Sequence, residues 1–109
     1  MFQGFDFLSG EVTWQDNCQQ EDMLQVKYPN NYILDVSWVE GTGQYIIRII
    51  RDFEWRVPVA EYVANTEDGM KAFLNTAIQR IEKESHIKPY YGALWKTDEY
   101  HDEDAEVSN

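Results

Sequence analysis

The sequence predicts an α+β domain: an antiparallel sheet of about four to five strands, one amphipathic helix packed on one face, and an acidic C-terminal tail. Three observations carry this reading. Two β-rich runs, Tyr32 to Glu40 and Gly43 to Arg51, meet at a short glycine turn. One later segment, Asn65 to Ser85, repeats its apolar residues at helical spacing. From Thr97 onward carboxylates displace apolar residues, with Asp98, Glu99, Asp102, Glu103, Asp104 and Glu106 unopposed by any Lys or Arg.

In chain order, residues 1 to 22 place short aromatic runs around Phe5 and Trp14 between Ser9, Gly10 and the polar stretch Gln15 to Asp22, which suggests one or two short strands with loops. Leu24, Val26 and Tyr28 then alternate with Gln25 and Lys27 until Pro29, Asn30 and Asn31 make a turn, the mark of a half-buried strand. Gly41 and Thr42 suit a two-residue type II′ hairpin turn, which pairs residues whose numbers sum to 83. That register sets Trp38 opposite Tyr45, Val36 opposite Ile47 and Leu34 opposite Ile49 on one face, with Asp35 opposite Arg48 on the other. A slip of one residue would put Arg48 against Val36 and spoil both faces.

A fourth strand is expected from Trp55 to Val63, edge-placed or bulged because Pro58 has no amide hydrogen. Asn65 and Thr66 offer N-caps, and Glu67 and Asp68 fall in the first turn, where the helix dipole favours negative charge. Met70, Phe73, Leu74, Ala77, Ile78 and Ile81 form one apolar stripe opposite Lys71, Asn75, Gln79, Glu82 and Lys83, so a helix of about four turns should lie across one sheet face. Trp38, Tyr45, Trp55 and Phe73 are assigned to the core. The patch Tyr90 to Trp95 is expected to pack back on the body. The division is thus a single domain over 1–96 and a solvated, flexible tail over 97–109.

The chain has 109 residues, 9 Lys+Arg and 20 Asp+Glu, for a net charge of −11. Residues 97 to 109 carry −6 of it, which leaves 14 acids and 9 bases on residues 1 to 96. An acidic body repels phosphates, so neither nucleic acid nor an anionic membrane is an expected partner, and a basic protein is. The length fits one domain that hides roughly 65% of its unfolded surface. The single cysteine, Cys18, cannot close an internal disulfide, and the first ten residues have no basic and long apolar regions of a leader. A soluble cytoplasmic protein is expected.

Catalytic signatures are missing: the chain contains no GxSxG, no glycine-rich phosphate loop, no HExxH and no CxxC. Cys18 with His86 or His101 would be the one thiol–imidazole pairing, without a motif around it. His101 among Asp98, Glu99, Asp102 and Asp104 lacks the spacing and glycine turn of a calcium loop. No enzyme activity, cofactor or metal is expected. Asp35 and Arg48 read as an exposed cross-strand ion pair, worth at most ~1 kcal/mol.

The run Leu34-Asp35-Val36-Ser37-Trp38, the glycine turn, Tyr45-Ile46-Ile47-Arg48-Ile49-Ile50, and then Trp55 and Pro58 before a single amphipathic helix resemble the small immunity proteins of bacterial polymorphic-toxin and contact-dependent inhibition systems. The resemblance covers roughly residues 30 to 84. It implies a small, acidic, cytoplasmic, non-catalytic protein that binds and neutralises a cognate toxin, and it transfers no binding residue. From charge and aromatic content, the partner-binding candidates are Asp98, Glu99, Asp102, Glu103 and Asp104, which would attract basic residues, and Tyr91, Trp95 and Tyr100, which would anchor. Asp52 and Glu54 are expected to extend the contact. The alternative expectation is a non-enzymatic regulatory or ligand-binding domain that forms a homodimer through the sheet face opposite the helix.

Overall fold

The computed structural model describes residues 2–16, 22–87 and 97–102. Its elements run β1 (Glu11–Gln15), β2 (Leu24–Tyr28), β3 (Tyr32–Val39), β4 (Gln44–Arg51), β5 (Ala60–Ala64), α1 (Glu67–Ser85) and β6 (Asp98–His101). The architecture is α+β, with one helix on a single sheet ordered β1-β2-β3-β4-β5-β6. Six strands among the described residues exceed the four to five expected, and the sheet is mixed, because β6 lies parallel to β5.

Its centre follows the charge-and-apolar matching. Tyr32 pairs with Arg51 and Val39 with Gln44, the register in which paired numbers sum to 83. The turn differs from the expected type II′. Val39 O accepts from both Thr42 N (3.2 Å) and Gly43 N (2.8 Å), and Gly43, not Gly41, has the positive φ, +68°. Four residues therefore make the loop, and glycine supplies the left-handed position at its last place.

The side chains of Leu24, Val26, Leu34, Val36, Ile47, Ile49 and Ala60 are fully buried on the face that α1 covers, against Met70, Leu74, Ala77, Ile78 and Ile81. Each large aliphatic side chain removed from water there contributes about 1.5–3 kcal/mol. Thr66 caps the helix, its Oγ1 accepting from Gly69 N at 3.0 Å. At 19 residues α1 is about a turn longer than expected.

The N-terminal segment closes the same layer at the β2 side. Phe2 is buried, Phe5 and Phe7 pack on the core, and Tyr28 Oη donates to Phe7 O at 2.8 Å. A Cβ on Gly10 would stand 2.5 Å from the Tyr28 ring and Val26, so the chain crosses β2 there only as glycine.

Two expectations fail between β4 and α1. The fourth strand begins at Ala60, not Trp55, and Trp55 is exposed rather than part of the core. The chain reverses at Arg51 to Glu54, where Glu54 N donates to Arg51 O, and Asp52 and Phe53 both take left-handed φ values of +54° and +60°. That reversal, with Pro58 withholding a donor, keeps residues 54–58 off the ladder, which Val59 N joins by donating to Ile49 O. Trp38 and Phe73 are partly buried against the core, and Tyr45 is buried.

The acidic stretch also departs from its reading, because Asp98–His101 joins the sheet. Tyr100 stacks on Tyr62 with ring centroids 4.8 Å apart and planes 14° apart. Asp98 N and Asp102 N donate to Val59 O and Val63 O, continuing the β5 ladder at both ends. A solvated tail that begins at Thr97 is therefore corrected for residues 98–102. The patch Tyr90 to Trp95 lies outside the described residues.

Candidate protein-binding face

The carboxylates proposed to reach outward are divided by the pleat of β6. Asp98, Tyr100 and Asp102 point to the helix side. There Asp98 Oδ2 accepts from Arg80 Nη2 at 2.8 Å, and Tyr100 Oη lies 3.4 Å from Arg80 Nη1. Asp102 accepts from Asn65 N (2.7 Å) and Asn65 Nδ2 (2.9 Å), just ahead of the cap of α1. Burial disfavours the Arg80 charge, but hydrogen bonds to Asp98 and Glu84 outweigh it and hold the guanidinium pKa above its usual value. Asp98, Tyr100 and Asp102 thus fasten the last strand to the body, with Asp98 and Tyr100 still exposed on it. Glu99 and His101 face the other way, opposite Glu61 and Val63. Tyr91, Trp95, Glu103 and Asp104 lie outside the described residues.

Asp52 and Glu54 flank the turn that projects Phe53. Glu54 is occupied by Arg56, whose Nε and Nη2 both donate to it at 3.1 Å, and these bonds lower the Glu54 pKa. Asp52 lies 3.5 Å from Asn31 Nδ2 and 3.7 Å from Arg51 Nε. Phe53 itself is 62% exposed, the most exposed of the large apolar side chains among the described residues.

Phe53 leads to the sheet face away from α1, over which the described residues place no helix or strand. One row of side chains crosses all six strands in register there: Trp14, Gln25, Asp35, Arg48, Glu61 and Glu99. Asp35 is not an exposed ion pair with Arg48. It is 3% exposed and accepts from Gln25 Nε2 (3.2 Å) and Ser37 Oγ (3.0 Å), while Arg48 Nε donates to Glu61 at 2.7 Å. Burial pushes the Asp35 carboxyl pKa up, and the bonds from Ser37 and Gln25 and the charge of Arg48 only partly oppose that.

Two adjoining hollows open beside this row. One, of about 450 Å³, is lined by Thr13, Trp14, Asp22 and Gln25. The other, of about 150 Å³, is lined by Thr13, Gln25, Lys27, Asn31, Tyr32, Ile33 and Phe53. Thr13 and Gln25 belong to both, so a continuous groove runs from Trp14 to Phe53 over β1, β2 and β3. Trp14 is 52% exposed and its indole Nε1 donates to Asp22 O at 3.1 Å, which fixes the ring. A bulge between Val12 and Trp14 turns Trp14 onto this face beside Gln25.

Sequence reasoning reached the Asp52–Glu54 end of the groove and missed Trp14, Gln25 and Phe53. The available signal was the alternating run Glu11-Val12-Thr13-Trp14-Gln15, which reads as an exposed edge strand once its polar alternation is weighed against the small number of apolar positions.

At the C-terminal end of α1 a serine, a histidine and a glutamate converge. Ser9 Oγ donates to Glu82 Oε1 at 2.6 Å and lies 3.2 Å from His86 Nε2, and that same Nε2 is 2.9 Å from Glu82 Oε2. A hydroxyl activated by histidine needs the acid on the other ring nitrogen. Here hydroxyl and carboxylate share Nε2 and the hydroxyl proton goes to the carboxylate, so the cluster ties the N-terminal segment to α1. The bonds from Ser9 Oγ and Ser9 N hold the Glu82 pKa below the usual value, with a smaller contribution from His86. Cys18 lies outside the described residues. No group of three His, Cys, Asp or Glu side chains among the described residues could hold a metal ion, and no described helix is long and apolar enough to cross a membrane.

Compared with protein-family models, with curated proteins and with solved structures, the chain matches none.

Proposed function

We propose that this chain is an immunity-type binding protein, which neutralises a basic toxin by covering its substrate-binding surface with the sheet face away from α1. The observation that carries the reading is the groove itself. Two large exposed aromatics, Trp14 and Phe53, stand at its ends on a protein of net charge −11. Aromatic anchors within a polar and charged surround are the anatomy of an interface centre. The acidic body adds attraction at long range, which speeds encounter with a cationic partner such as a nuclease whose substrate is polyanionic. The acidic strand serves this reading as a source of field rather than as an arm, since Asp98 and Asp102 are engaged within the fold.

The test is isothermal titration against the polypeptide encoded immediately upstream, at two salt concentrations. Tight one-to-one binding that weakens with salt is the expected result, and it should abolish the partner's toxicity. The second reading, a homodimer through the same exposed aromatics, predicts instead a mass that rises with concentration and no heat on mixing.

A further inference from the structure

The two hollows of the groove differ in chemistry. The Phe53 end is lined by Ile33 and Tyr32 and carries the cation Lys27. The Trp14 end carries Asp22 and Gln25, whose side-chain amide is bonded to the Asp35 carboxylate on the neighbouring strand. Asp35 is buried with hydrogen bonds from neutral donors, Gln25 and Ser37, while the guanidinium across from it is drawn to Glu61. A buried carboxylate without a cation bonded to it keeps a desolvation cost that a cation would offset. Counted along the row, Asp35, Glu61 and Glu99 are three carboxylates against the one guanidinium of Arg48. The charge that would complete the row is positive.

We propose that the Trp14 hollow receives one arginine side chain of a basic protein partner, which takes the place of the Gln25 amide on Asp35 and stacks on the Trp14 indole. This rests on the neutralising reading above and specifies what its binding face recognises. Arginine fits better than lysine because its planar fork meets a carboxylate with two parallel bonds while its flat side lies on an aromatic ring. Trp14 is prepared for that contact, since its N–H is spent on Asp22 O and its orientation is fixed before any partner arrives. Lys27 repels a second cation from the neighbouring hollow, which is left for an apolar side chain against Phe53 and Ile33.

The experiment is a ¹H–¹⁵N titration of the full chain with a capped Gly-Arg-Gly peptide, its citrulline counterpart and free L-arginine, repeated on Asp35→Asn and Gln25→Ala. The arginine peptide should shift the Trp14 indole and Gln25 side-chain signals saturably, and citrulline should not. Asp35→Asn should weaken the arginine peptide about tenfold or more, and Gln25→Ala, which uncovers the carboxylate, should strengthen it. Signals that move equally in Asp35→Asn, an unchanged affinity in Gln25→Ala, or shifts confined to residues 98–102 would overturn the proposal. Free arginine binding more tightly than the capped peptide would also overturn it, in favour of a small-molecule site. In the titration with the upstream-encoded protein, equal affinity of wild type and Asp35→Asn sinks the arginine contact and leaves the neutralising reading standing.

Discussion

The two faces of the sheet solve opposite problems. Under α1, alternate residues of β2, β3 and β4 from Leu24 to Tyr28, Tyr32 to Val36 and Tyr45 to Ile49 are apolar and buried, and a charge enters that face only at the end of β4, with Arg51. On the other face, apolar residues such as Ile33 and Ile46 alternate along the strands with a polar row that includes a buried carboxylate and exposed aromatics at its margin. The first arrangement is what a core needs, because burial without polar atoms has no desolvation cost. The second is poorly suited to stability and well suited to recognition, where a charge is desolvated against a partner that completes it. Stability rests on the helix-covered face and the proposed binding on the other, so variants on the two faces should separate the two effects.

The largest effect belongs to the helix-covered face. Ile78→Ala or Leu74→Ala should cost about 2–5 kcal/mol in urea unfolding, whereas Trp14→Ala should stay within about 1 kcal/mol. Similar losses from both would erase the contrast. Next is Arg80→Ala, which removes the hydrogen bonds that hold Asp98, Tyr100 and Glu84. A cost of about 1–2 kcal/mol is expected, with hydrogen exchange accelerated at the Asp98 and Asp102 amides and unchanged in β3. Exchange that rises throughout the sheet would show that β6 is not a local addition.

Titration gives two carboxylates opposite signs. The folded pKa of Asp35 is raised, so its charge opposes folding as pH climbs from the unfolded carboxylate value toward and past the folded one. Asp35→Asn should therefore be neutral or slightly stabilising at pH 7, within about 1 kcal/mol. Glu82 is the reverse case: its folded pKa is depressed, so the stability it supplies is present above the unfolded value and lost as pH falls through the folded one. Glu82→Gln should flatten the acid limb of the stability curve, and an unaltered limb would remove Ser9–Glu82–His86 as a fastening. The smallest expected change is Phe53→Gly, which relieves a left-handed conformation that a bulky residue rarely adopts. Stability should rise by less than about 1 kcal/mol while affinity for the partner falls.

The same contrast explains what the sequence discloses. The β3–β4 register is legible because both faces of that hairpin test it at once, Leu34 against Ile49 and Asp35 against Arg48. Its turn is less so, since Gly41 and Gly43 each offer a left-handed position and the strands accept either loop around one register. The strand Asp98–His101 is hidden because its carboxylates read as solvated, while the groups that hold it, Arg80 and Tyr62, are distant in sequence. At the candidate site, Asp52 and Glu54 were visible as charges. Trp14 was obscured by a bulge that breaks the period of two, and Asp35 by a polarity that implies exposure where the fold buries it.

Docking of the proposed basic partner on the face away from α1 is tested by isothermal titration of two variants against the upstream-encoded protein. One is Trp14→Ala with Phe53→Ala, and the other neutralises Glu103, Asp104 and Glu106 to their amides. The account predicts that the aromatic pair costs about a hundredfold or more in affinity, while the amides cost less than about tenfold and mainly slow association. Full affinity without Trp14 and Phe53, together with its loss on neutralising the C-terminal acids, would contradict the claim and return the interface to the end of the chain.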